Sequence, residues 1–183
     1  MQAEAEPDLS SGFLIAALTG ASSQEIQNAL RGVARRWSTR GTRIIGLVEV
    51  DARIAGPNRW AARLQNLQSG KTYPLFQNLG PNSVSCHLDG AGIVAACADL
   101  CQQMTQGCDL VVLSKFGQLE ALRSGLLDAF VLAVELDIPI LTAVAPAYHA
   151  AWHAFSAPLS VSMPPDEERL DQWWREAQAK NRA

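Results

Sequence analysis

The sequence has no apolar run long enough to cross a membrane. Its longest, Phe13 to Leu18 and Ile138 to Val144, fall well short of the roughly 20 residues a spanning helix needs. It has no excess of basic charge, because 15 lysines and arginines against 18 acids leave a net charge of −3. That excludes nucleic acid as the main partner, since a phosphate backbone calls for a basic stripe. The stretch Met1 to Ser11 is acidic and polar, where a secretory signal is basic and then apolar, so the expected compartment is the cytoplasm. The four cysteines, Cys86, Cys97, Cys101 and Cys108, contain no CxxC pair. In a reducing cytosol they are expected to be buried free thiols rather than disulfides or metal ligands. His149 and His153 stand four apart without a third ligand nearby, so no metal site is expected.

What is present is the patterning of an α/β domain. Phe13 to Thr19 reads as a short apolar strand closed by Gly20. Ser22 or Ser23 caps a helix from Gln24 to Thr39, with Ile26, Leu30, Val33 and Trp37 at helical spacing and Glu25 complementing the dipole. Thr42 to Val50 is a second strand, which completes a strand–helix–strand unit with a right-handed crossover. Ala62 to Leu67 and Thr72 to Phe76 alternate on either side of the turn Gln68 to Lys71, a β-hairpin insertion that Pro74 places at a sheet edge. Asp89 caps a helix from Ala91 to Gln106. Leu110 to Leu113 has no alternation, as expected of a central parallel strand covered on both faces.

Beyond the polar turn Ser114 to Gly117, the spacing predicts a helix over Leu122 to Asp137 with Leu126, Phe130 and Val134 inward. A buried strand over Ile138 to Val144, a short segment from Pro146 to Phe155, an edge strand over Leu159 to Met163 and a last helix from Asp166 to about Ala179 complete the chain. The expected layout is a tail over residues 1–12, one three-layer α/β domain with a mainly parallel sheet over 13–163, and a C-terminal helix within 164–183 that packs on or extends it. On that helix, one ring of Trp173 and Trp174 is expected to dock on the sheet and the other to mark a dimer or partner surface. The hairpin over residues 62–76 is a second candidate surface.

The chemistry is sparser. A strand, a Gly-containing turn and a helix N-terminus make the geometry of a phosphate cradle, because unpaired backbone N–H groups point at the anion. A working nucleotide loop reads GxxxxGK[ST]. Counted from Gly20, Glu25 falls on the second glycine, Ile26 on the lysine and Gln27 on the hydroxyl. Without the lysine and the magnesium-binding hydroxyl, the charge of phosphoryl transfer has no stabiliser. The chain is therefore read as leaning away from enzymatic activity and from nucleotide binding; the alternatives are a nucleoside triphosphatase or nucleotide-dependent enzyme using non-standard residues, and a protein-interaction subunit. In open α/β sheets ligands gather at the carboxyl ends of strands, which singles out Ser114, Lys115 and Glu120 after the central strand. With Thr19, Gly20, Ser22 and Ser23 of the first turn, and Asp89, they form a candidate site for an oxyanion such as molybdate or phosphate, or for a phosphorylated small molecule. Cys86 and His87 beside Asp89 resemble an acid–base cluster, but no nucleophile is evidently paired with them.

The motifs Asn66-Leu67-Gln68-Ser69-Gly70, Cys86-His87-Leu88-Asp89, Lys115-Phe116-Gly117 with Glu120 and Gly125, Ile138 to Val144 and Ala151-Trp152-His153-Ala154-Phe155 together resemble an uncharacterised bacterial domain family. That family is similar in layout to small P-loop nucleoside triphosphatases of the thermophile type. The resemblance implies a P-loop-like fold with a degenerate loop. In the triphosphatases an acidic pair closes the central strand, where this chain has Ser114-Lys115-Phe116-Gly117. The family is often encoded beside molybdate uptake genes, which implies a role near molybdenum metabolism.

Overall fold

The computed structural model describes residues 12–53, 60–75 and 90–180. The first apolar run forms strand β1 (Ile15–Leu18), followed by helix α1 (Ser23–Ser38) and strand β2 (Ile44–Arg53). Strands β3 (Trp60–Asn66) and β4 (Thr72–Pro74) make the expected hairpin, paired antiparallel with each other and, through β3, with β2. Helix α2 (Gly90–Thr105) leads to strand β5 (Leu110–Leu113), the single turn α3 (Gln118–Ala121), helix α4 (Leu127–Glu135) and strand β6 (Ile140–Ala143). Helix α5 (His149–Ser156), strand β7 (Ser160–Met163) and helix α6 (Glu167–Lys180) follow.

The seven strands form one sheet in the order β4-β3-β2-β5-β6-β1-β7, parallel from β2 to β7. Proline at position 74 cannot donate to a ladder, and β4 is indeed an edge strand. Side-chain alternation divides the sheet between two cores. Ile15, Ala17, Ile45, Leu47, Val111, Leu113 and Ile140 pack under α2, α4 and α5. Ala16, Leu18, Ile44, Val48, Leu110, Val112 and Leu141 pack under α1 and α6. This is a three-layer α/β sandwich, helices over both faces of a mostly parallel sheet. Gly46 sits where β2 lies against β5, and a Cβ there would collide with the Val112 carbonyl; the strand carries glycine where the backbones come closest.

Three expectations change. The helix predicted over Leu122 to Asp137 begins only at Leu127, because Arg123 and Gly125 adopt left-handed conformations (φ 60° and 67°) that end the preceding turn. Its inward residues are Ala129, Phe130 and Ala133, with Leu126 buried just ahead of it and Val134 only half-buried. The segment after β6 is helical, a 3-10 turn at Pro146–Tyr148 running into α5. Finally, both tryptophans of α6 are internal. Trp174 stacks on Trp37 of α1 at 5.2 Å between centroids, and Trp173 donates its Nε1–H to the Phe13 carbonyl at 2.9 Å. Neither ring offers a surface to a partner, and α6 is part of the α1-side core.

Cys97, Cys101 and Cys108 are free. Burial pushes the Cys97 thiol up to about 12 and the Cys108 thiol up to about 11, so both are inert packing groups at neutral pH. His149 and His153 lie exposed on α5. Among the described residues no three His, Cys, Asp or Glu side chains cluster as a metal site would require, and no helix is long and apolar enough to cross a membrane. Cys86, His87 and Asp89 lie outside the described residues.

Candidate functional site

Two strand–turn–helix junctions at the carboxyl edge of the sheet concern function. At the first, β1 ends at Leu18 and the Thr19 amide bonds the Met163 carbonyl of β7. Gly20 turns the chain with φ 78°, a conformation glycine adopts at no steric cost. Ser22 is the N-cap of α1. Its amide and hydroxyl both donate to Glu25 Oε2, at 2.9 and 2.5 Å, while the Glu25 amide donates back to Ser22 Oγ at 3.3 Å. This is a complete capping box. Hydrogen bonds from the Ser22 hydroxyl and then its amide hold the Glu25 carboxyl below the usual carboxylate range. The Ser22 amide and hydroxyl at the N-terminus of α1 are thus partnered by a carboxylate of the chain itself.

The next two residues of α1 are built into the fold. Ile26 is buried in the α1-side core. Gln27 is buried and bridges two strands, its Nε2 donating to the Ser114 carbonyl and its Oε1 accepting from the Glu49 amide, both at 2.8 Å. The β2–β5 ladder ends at Leu47 and Leu113. The Gln27 amide spans the gap that opens beyond it, so two buried backbone groups keep partners.

The second junction follows β5. Phe116 bridges to Val144, its amide bonding the Ala143 carbonyl at 2.7 Å, and its ring packs edge-on against Phe130 and Trp152. Phe116 thereby anchors the turn and leaves Lys115 on the opposite side. Glu120 is buried and accepts the Gly117 amide on Oε2 at 2.9 Å and the Leu126 amide on Oε1 at 2.8 Å. Gly125 packs directly on this carboxylate, and a Cβ there would overlap Glu120 Oε1. The spaced glycine and glutamate of the sequence motif are therefore one device that fixes the loop.

Over this loop lies a cleft of about 680 Å³, walled by the ends of β2 and β5, the hairpin and α2. Ser114, Lys115, Gln118, Glu120, Glu49 and Tyr148 supply its polar lining, and Leu64, Leu75, Ile93, Leu119 and Leu126 most of the rest. Lys115 Nζ meets the buried Glu49 Oε1 at 2.6 Å; the Glu49 side chain is 15% exposed and that of Lys115 42%. The structure therefore brings Ser114, Lys115 and Glu120 together in one cleft whose walls do not include Thr19, Gly20, Ser22 or Ser23. Both oxygens of Glu120 are taken by backbone amides, so it shapes the cleft rather than serving as a base.

Glu49, Gln27 and Tyr148 are cleft or junction residues that sequence reasoning missed. Gln27 had a signal, a polar residue in register with Leu30 and Ala34 on the buried face of α1. Glu49 had a weaker one, an acid near the carboxyl end of an apolar strand.

Comparisons with known proteins agree with this architecture. The model of a family described as "Protein of unknown function (DUF2478)" matches residues 15–173, and the chain belongs to that family. The molybdenum import ATP-binding protein ModC 2 of Bradyrhizobium diazoefficiens is 26% identical over 166 residues, which cover 91% of this chain and 18% of that protein. The chain thus spans less than a fifth of the length of this curated relative. The crystal structure of THEP1 from the hyperthermophile Aquifex aeolicus superposes with a TM-score of 0.58 at 12% identity, covering 88% of this chain and 94% of that one. The fold matches that P-loop nucleoside triphosphatase fold.

Proposed function

We propose that this member of the DUF2478 family is a non-hydrolytic binding protein for a small anionic ligand, held in the cleft at the ends of β2 and β5 with Lys115 as its cationic partner. The observation that carries the reading is the closed N-terminus of α1. Glu25 fills the position of a phosphate, and Ile26 and Gln27 stand where a lysine and a magnesium-binding hydroxyl would act. A triphosphate brought there would meet a carboxylate and no cation, so transition-state charge would go unstabilised. The degenerate loop leaves the scaffold as a binding module.

In the cleft, Lys115 makes one ion pair, to Glu49, and its side chain is 42% exposed. An ammonium has three donors, so an anion can join it from the open side without breaking the ion pair. The aliphatic walls and the volume favour a phosphorylated metabolite with an apolar part over a bare tetrahedral oxyanion. The relative's name concerns molybdenum import, which makes molybdate a ligand to try and a role beside molybdenum handling the natural context.

The test is a thermal-shift panel on the full chain with phosphate, sulfate, molybdate, aliphatic and aromatic phosphate monoesters, and ATP with magnesium. A ligand at a hundred times its dissociation constant stabilises by about 2.7 kcal/mol, and Lys115→Ala should abolish that shift. Magnesium-dependent ATP turnover that disappears when the Gly20 turn is changed would refute the proposal. So would a panel in which no anion stabilises the wild type.

A further inference from the structure

A second groove, of about 660 Å³, runs on the opposite face of the sheet, between α1 and the wing formed by β2 and β3. Arg31 and Arg35 stand four apart on its helical wall, and Ile44 and Leu67 form its apolar floor. Strand alternation turns Arg63 to the same side as Gln65 and Leu67. Five cations, Arg36, Arg40, Arg43, Lys71 and Lys115, pair with carboxylates. Arg31 bonds only the Asn28 amide oxygen and Arg63 the Thr72 hydroxyl and carbonyl, and neither they nor Arg35 meets a carboxylate among the described residues. Among the described residues no acid lines the groove. In a chain of net charge −3, the groove thus carries two arginines, Arg31 and Arg35, with no carboxylate partner among the described residues.

Gly32 adds an independent observation. It lies inside α1, where glycine weakens a helix, and a Cβ at that position would meet nothing within 4 Å. Nothing described in the chain requires glycine there, but anything lying in the groove would gain close approach to the helix backbone.

We infer that this groove docks an acidic segment of another protein, with carboxylates on Arg31 and Arg35 and an aliphatic side chain laid over Gly32 against Ile44 and Leu67. Planar guanidinium groups suit carboxylates bidentately. No aromatic ring lines the groove, so it has no platform for bases, and a single-stranded nucleic acid is the poorer fit.

The experiment is fluorescence anisotropy on the full chain with three labelled probes: a synthetic peptide of alternating Glu and Leu, its Lys–Leu counterpart, and a single-stranded RNA oligonucleotide. The acidic peptide should bind at low salt, weaken as salt rises, and bind at least tenfold more tightly than the other two. Arg31→Glu with Arg35→Glu should lower its affinity at least tenfold. Gly32→Gln, a better helix former that fills the groove, should lower it similarly while circular dichroism reports an intact fold. Gly32→Ala should lower it less than Gly32→Gln does, and Lys115→Ala should leave it unchanged, which separates this surface from the cleft. Absence of acidic-peptide binding, equal binding by the arginine variant, or preference for the RNA or the Lys–Leu peptide would overturn the inference.

Discussion

The turn after β1 and the turn after β5 are built alike and used differently. Each follows a four-residue buried strand and opens a helix, and in each a glutamate three residues into the motif reaches back to the first amide, Glu25 to Ser22 and Glu120 to Gly117. In each turn, the N-cap amide is therefore taken by a side chain of the same helix. The first turn has no cation and opens on no described cleft, whereas the second presents Lys115 to a cavity. Strand ends place a site, but the side chains decide whether it is filled from within.

The largest effect should come from the buried glutamate. Glu120→Ala leaves the Gly117 and Leu126 amides buried without acceptors, at a cost of about 3 kcal/mol in urea denaturation, and should abolish any ligand response of the cleft. An unchanged midpoint would show that the second turn does not depend on its internal carboxylate. Gln27→Leu should follow at about 2 kcal/mol, because the Ser114 carbonyl and the Glu49 amide lose their shared partner. Lys115→Met, by contrast, breaks a partly exposed pair and should cost about 1 kcal/mol or less while removing ligand stabilisation. Loss of binding at intact stability is the signature that separates a ligand contact from a structural one.

A smaller effect tests the packing of α6 against α1. Burial pushes the Asp171 carboxyl up, but hydrogen bonds from Arg36 and the Trp37 indole outweigh it and hold the group below the usual carboxylate range. A depressed folded-state value means that the contribution is present above the unfolded value, near 4, and is lost as pH falls through the lower folded one. Asp171→Asn should therefore lower stability at neutral pH and flatten its decline below about pH 4, read by denaturation at stepped pH. A variant with the wild-type acid limb would show that other carboxylates govern it.

How much of this was legible follows from what each residue's reason for being there is. The strand Leu110–Leu113 and the helix Ser23–Ser38 declare themselves by burial pattern and capping residues, which are local. The break before α4 was hidden because Leu126, Phe130 and Val134 keep helical spacing across it. The obstacle is a left-handed Arg123 and Gly125 held by Glu120, six residues from the amide it bonds. Lys115 and Ser114 were found because the carboxyl end of a central strand is a general rule. Glu49 and Gln27 owe their roles to partners 66 and 87 residues away, Lys115 and Ser114, and no spacing within the chain encodes such pairs. The same distance hid the stacking of Trp174 on Trp37.

The smallest expected change in stability carries the sharpest test of the first turn. Glu25 is solvent-exposed, so Glu25→Gln should lower the melting temperature only slightly. The amide can still accept from Ser22, while the negative charge at the helix N-terminus is gone. If that carboxylate is what keeps phosphate away, the variant should gain a weak, salt-sensitive phosphate response that survives Lys115→Ala. It should still fail to turn over ATP with magnesium, because Ile26 and Gln27 supply neither the cation nor the hydroxyl that phosphoryl transfer needs. Gain of binding without turnover would mean that the turn retains the geometry of a cradle and is closed by charge alone. Turnover in the variant would mean instead that one carboxylate stands between this chain and hydrolysis, and the two turns would then differ in degree rather than in kind.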